Sequence, residues 1–127
     1  MATVLLDTGI LTMTEPETRL VLEAPAGLVE IVAACRNGKA QSITLRNVPA
    51  FATHLDAKVE VKTLGTVTVD IAYGGMFYVI TDARAFGLRL TPDEGRDIVR
   101  IGEMVKAATR DQIKVSHPLQ PGFEGVT

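Results

Sequence analysis

Tryptophan is absent from this chain, cysteine occurs once, histidine twice, and neither sign of charge dominates. Each shortage removes a class of function. The lone Cys35 allows no internal disulfide and fits a reducing compartment, so the cytoplasm is the expected location. Thirteen basic against fifteen acidic residues leave a net charge of -2 without a basic cluster. No nucleic-acid partner is expected, because holding phosphates needs grouped lysine and arginine. No apolar run approaches the roughly eighteen residues that a membrane span requires. The opening MATVLLDTG lacks a basic segment, and its apolar Val4–Leu6 is too short for a secretory signal. His54 and His117 lie far apart in no metal-ligand spacing; both read as surface or loop histidines, and no metal is expected. A Gly-rich phosphate loop, a GxSxG elbow and an HExxH motif are all missing.

What is present is an ordinary globular composition. At 127 residues and 46% hydrophobic, the chain is one domain's worth and can bury roughly two-thirds of its unfolded surface. It is organised around Gly65–Asp82, GTVTVDIAYGGMFYVITD. Val67, Val69, Ile71 and Tyr73 alternate with Thr66, Thr68, Asp70 and Ala72, which predicts a strand with one buried face. Gly74-Gly75 then breaks the alternation before a second apolar run, Met76–Ile80. Paired glycines between strand formers mark either a bulge or tight bend, or a backbone left bare for a ligand or a neighbouring element.

The rest of the chain supplies partners for that strand. Ala2–Leu6 followed by Asp7-Thr8-Gly9 reads as the last turns of a helix whose beginning is absent, with a short strand as the alternative. Strands are expected over Arg19–Glu23 and Gly27–Cys35, separated by Ala24-Pro25-Ala26-Gly27. Asn37-Gly38 predicts a hairpin into Ala40–Val48, with Ile43 and Leu45 on one face. Lys58–Lys62 alternates again and turns back at Leu64-Gly65, giving six or seven mostly antiparallel strands. Thr91-Pro92-Asp93-Glu94 is a helix start with a capping box, opening a helix over about 92–114. Ile98, Ile101, Val105 and Ala108 form its apolar face, and Val99 and Met104 broaden it. Gly95 and Gly102 beside that stripe predict close packing against another element.

No catalytic constellation can be assembled from these residues. Cys35 ends a strand, whereas a reactive thiolate wants a helix N-terminus or a cation beside it. Arg36 adjoins it, but consecutive strand side chains point to opposite faces, so Cys35 reads as structural. Asp70 reads as a solvated or cross-strand paired carboxylate. A ligand-facing surface, if one exists here, is expected at Tyr73, Gly74, Gly75 and Phe77, with the two rings alternatively serving a core.

Three segments carry a resemblance: Pro25–Val29 (PAGLV), Ser42–Phe51 (SITLRNVPAF) and Asp70–Ile80 (DIAYGGMFYVI). Together they resemble the first half of the proline racemase family, which includes proline racemases, 4-hydroxyproline 2-epimerases and trans-3-hydroxyproline dehydratases. Ala2–Gly9 is similar to the segment that follows the family's first catalytic motif, a Cys-Gly-His-Gly run. Met76 departs from the pattern, where relatives commonly carry a smaller or polar residue.

The resemblance implies an α+β fold, a diaminopimelate-epimerase-like lobe with a mostly antiparallel curved sheet wrapped on a helix. It also implies cofactor-independent inversion at the α-carbon of proline or 4-hydroxyproline. One cysteine thiolate removes a proton, and a second thiol delivers one to the opposite face. Neither family cysteine falls within this chain, and Cys35 matches neither. Residues 1–127 are therefore expected to form a single partial domain, most of a first lobe with its helix leading toward a second. That domain is expected to be catalytically incomplete, free of cofactor and homo-oligomeric. A fragment of the dehydratase and a non-enzymatic binding or self-association domain stand as alternatives.

Overall fold

Asn37 and Gly38 adopt φ of 54° and 68° in a computed structural model that describes residues 1–127. Two consecutive left-handed residues are what a two-residue type I′ turn demands, and Asn-Gly adopts them at the least steric cost. The turn joins β2 (Gly27–Arg36) to β3 (Lys39–Arg46), and β1 (Glu17–Ala24) pairs along the other edge of β2. All pairings are antiparallel. These strands and α1 (Ala2–Asp7) belong to the first of two compact units, Met1–Pro49.

Alternation along β2 buries Ile31, Ala33 and Cys35 on one face. Leu6 of α1 packs on Ala33 and Cys35, with Met13, Leu20, Ala40 and Ile43 around them. Six residues do not hold a helix by themselves, and here side-chain bonds anchor the end of α1. Asp7 Oδ1 accepts the Ala40 N–H at 2.9 Å, and Lys39 Nζ lies 3.4 Å from Asp7 Oδ2. The Ala40 hydrogen bond is the main reason that the Asp7 carboxyl is held below its usual range. Gly9 follows at φ 73°, the left-handed stop expected there. Ile43 reaches the core, while Leu45, two residues on, is largely exposed.

The second unit, Ala50–Thr127, holds β4 (Phe51–Val61), β5 (Gly65–Tyr73) and β6 (Phe77–Ile80) in that order in one antiparallel sheet. β4 begins seven residues before the alternation at Lys58. Its first half slips register twice, once on each side of His54, and Asp56 takes φ 53°. Those bulges erase the period of two that marks a strand in sequence. Asp70 Oδ1 on β5 accepts the Asp56 N–H at 2.8 Å, a cross-strand bond that holds the bulge.

β5 buries Val67, Val69, Ile71 and Tyr73, as the alternation predicts. Helix α2 (Gly95–Gln112) lays Ile101 and Val105 on Val59, Val61, Val67 and Val69. Thr109 completes the buried face because its hydroxyl donates to the Val105 carbonyl at 2.8 Å, within its own helix. At the last turn the Gln112 amide accepts the Glu60 N–H at 3.0 Å and donates to the Glu60 carbonyl at 2.8 Å. One side chain thereby closes part of the free edge of β4.

Two expectations about α2 need correction. A 3₁₀ turn, Pro92–Glu94, precedes the α-helix, so Gly95 is its first residue and not an interior one. Gly102 lies off the Ile101–Val105–Thr109 stripe, and a Cβ on either glycine would meet open space. Neither glycine marks a close approach.

Of the capping box at Thr91–Glu94, the Glu94 half forms, while the Thr91 hydroxyl is buried without a hydrogen-bond partner. Glu94 accepts the Arg89 N–H at 2.8 Å and the Thr91 N–H at 3.2 Å, and these bonds lower its pKa from 4.5 to about 2. A depressed carboxyl pKa stabilises the fold fully above the unfolded value and loses that contribution as pH falls through the folded one. Urea midpoints of wild type and Glu94→Gln, taken at about pH 7 and about pH 2, test this linkage. The wild-type advantage is expected at the higher pH and should be largely lost at the lower; an unchanged difference would refute the assignment.

Candidate functional site

The Gly74-Gly75 turn joins β5 to β6 where Tyr73 pairs with Phe77. Gly74 N–H donates to the Met76 carbonyl at 3.1 Å, and Gly75 takes φ 105°. That conformation explains the glycine at 75, since a side chain there would be strained. A Cβ on Gly74 would meet nothing within 4 Å.

Alternation sends the two rings flanking the turn to the inner face. Tyr73 and Phe77 are each 2% exposed, with ring centroids 5.1 Å apart. Phe51 stacks on Tyr73 at 5.2 Å and meets Phe77 edge-on at 6.2 Å. The segment after α2 closes the cluster. His117 meets Tyr73 at 4.6 Å and Phe51 at 5.3 Å, and Phe123 lies 6.2 Å from Tyr73. His117 Nδ1 accepts the Leu119 N–H at 3.1 Å, leaving Nε2 to carry the proton in the neutral ring. Thr127 donates to the Phe77 carbonyl from both its N–H and its hydroxyl, each at 3.0 Å.

The four residues singled out from sequence thus share one hairpin, two in the turn and two as buried rings flanking it. Beside the turn lies an open hollow of about 540 Å³, lined by Ala72, Tyr73, Gly74, Tyr78, Ile80 and Thr81. Nothing in the sequence marks Phe51, His117 and Phe123 as partners of these rings. Each is an isolated aromatic or histidine in a segment without period, and only the fold brings them together.

A larger groove, about 680 Å³, is lined by Thr63, Thr66, Thr68, Asp82, Phe86 and Arg100 among others. Its charges are already paired: Arg100 with Asp97 at 3.0 Å, and Asp82 with Arg84 at 2.8 Å. The Arg84 guanidinium and N–H hold the Asp82 carboxyl below its usual range. These carboxylates serve turns and helix ends.

Cys35 lies elsewhere, in the first unit. It pairs with Ala40 beside a register shift in β2–β3, and it is 4% exposed. Its Sγ is 3.5 Å from Thr18 Oγ1 and donates to the Ala33 carbonyl at 3.6 Å. The sulfur stands on the face of β2 that packs against Leu6.

The family model described as "Proline racemase" matches residues 1–127. This chain belongs to the proline racemase family. Two solved structures from the family's neighbourhood carry the same fold. A hydroxyproline epimerase from Agrobacterium vitis, crystallised with bound trans-4-OH-L-proline, is 42% identical with a TM-score of 0.91. A probable proline racemase from Agrobacterium radiobacter, with bound carbonate, is 36% identical with a TM-score of 0.92. Each alignment covers 98% of this chain and 36% or 37% of the neighbour, so the chain spans little more than a third of their length. Relatives at this identity share the α+β lobe of the family, with small antiparallel sheets and a helix. No helix of the chain is long and apolar enough to cross a membrane.

Proposed function

We propose that this chain is a catalytically incomplete part of a cofactor-independent imino-acid racemase or epimerase acting at the α-carbon of proline or 4-hydroxyproline. The observation that carries the proposal is the 42% identity to a hydroxyproline epimerase holding trans-4-OH-L-proline. Inversion at carbon needs a base on one face and an acid on the other, and two thiols satisfy that requirement when helix N-termini depress their pKa values. The chain has one thiol, and it is enclosed by Thr18, Ala33 and Leu6. Cys35 is accordingly structural, and the reacting pair belongs to other parts of a longer enzyme.

Within this chain Gly74 and Gly75 supply the ligand-facing backbone, and Tyr73 and Phe77 hold the turn from below. The hollow beside the turn, which Gly74 helps to line, supports this reading. Self-association accompanies it, since Met76, Tyr78 and Ile80 leave large apolar side chains exposed on and beside edge strand β6.

The test uses the 127-residue chain with trans-4-hydroxy-L-proline, followed by optical rotation and by sedimentation of the same sample. No change in rotation and a dimer or larger species are expected. Epimerisation by this chain alone would overturn the incomplete-site reading. A monomer at high concentration would overturn the self-association.

A further inference from the structure

The Asn37-Gly38 turn carries a reactivity that its role in the hairpin does not use. Both residues are exposed, and glycine offers no side chain to shield its nitrogen from the neighbouring asparagine amide. A second group stands at that nitrogen. Glu15, far upstream in sequence, accepts the Gly38 N–H on Oε1 at 2.7 Å.

We propose that Asn37 is a deamidation site that Glu15 holds closed. In the reaction the Gly38 nitrogen forms a bond to Asn37 Cγ, and the Cγ–Nδ2 bond breaks. Ammonia leaves with the hydrogen that Gly38 had carried, and a five-membered imide remains. Water then opens the imide at either carbonyl, leaving aspartate or isoaspartate in place of Asn37. For this to begin, the Gly38 amide must give up its proton and rotate toward the Asn37 side chain. A carboxylate is too weak a base to take that proton. Its charge opposes the negative charge developing on nitrogen, and its hydrogen bond fixes the peptide plane in the turn. Glu15 therefore protects.

Loss of that protection would reach beyond the turn. Isoaspartate adds one atom to the main chain of a two-residue turn, whose length sets the register of β2 on β3. Arg36 pairs with Lys39 at its base, and the next pair, Cys35 with Ala40, leads to the Asp7–Ala40 hydrogen bond that anchors α1.

The experiment incubates the purified chain at neutral pH and follows by mass the peptide Ile31–Glu60, released by cleavage after glutamate, with enzymatic methylation of the intact chain to count isoaspartate. Wild type, Glu15→Ala and Glu15→Gln are compared, with urea-denatured wild type as the unrestrained rate. Arg19→Ala, which removes only the exposed Arg19–Glu17 pair, is the surface control. Folded wild type is expected to react at least about tenfold more slowly than denatured chain, the order of one charge-assisted hydrogen bond. Glu15→Ala should recover most of that factor, Glu15→Gln part of it, and Arg19→Ala none. Equal rates in folded and denatured wild type would overturn the proposal, as would an unchanged rate in Glu15→Ala. Should Glu15→Ala also shift the urea midpoint, Glu15→Gln decides, because it keeps an oxygen acceptor and loses only the charge. A Glu15→Gln rate equal to wild type would then overturn the role of that charge.

Discussion

Tyr73→Ala is expected to destabilise the second unit by about 3–5 kcal/mol, read from urea unfolding followed by far-ultraviolet circular dichroism. The ring is almost wholly enclosed, and four other rings lie around it. Truncation removes its buried area and opens a cavity between β4, β5 and the segment after α2, which cannot collapse without moving Phe51 and His117. Tyr73→Phe should stay within about 1 kcal/mol of wild type, because a contact as long as the phenol's is close to no hydrogen bond. The phenol reaches only Gln120 Oε1, at 3.5 Å. A loss under about 1 kcal/mol in Tyr73→Ala would show that the ring is not a core anchor.

Val105→Asp is expected to have an effect of similar size for a different reason. Val105 is 2% exposed and lies in the cluster formed by Ile101 with Val59, Val61, Val67 and Val69. The buried members of this cluster are all aliphatic. A carboxylate placed there either stays ionised without a partner or takes up a proton, and a cost on the order of 3–5 kcal/mol follows. Helix α2 should leave the sheet, with loss of the Gln112–Glu60 bonds at its far end. Partial recovery of the urea midpoint at acid pH, where the new carboxyl is neutral, would identify desolvation as the cause. The same midpoint as wild type at neutral pH would refute the burial of this face.

Much of the architecture could be read from residue order because it rests on local rules. Asn37-Gly38 specifies its own turn type, and Thr91–Glu94 specifies a helix start. The valines from Val67 to Val69, with Ile71 and Tyr73, show their buried face by period alone. Readings failed where a tertiary contact overrode a local pattern. The first half of β4 is a strand only because β5 pairs with it across two register shifts, and Asp70 steadies the irregularity from the far side. Thr109 is polar by type and buried by context, since the helix supplies its acceptor. Gly102 reads as a packing notch by spacing, yet the helix turns it toward open space.

The site divides in the same way. Sequence alone identified the paired glycines, the two flanking rings and the absence of a second thiol, because these depend on residue type and on a count. It also placed the chain in its family, through segments long enough to be specific. Only the tertiary structure decided that His117 and Phe123 are brought against the buried Tyr73 from distant positions in the sequence. It alone brought Glu15 onto Gly38. Periodicity reports which face of an element is buried; which partner fills that face depends on contacts between segments that share no local signal.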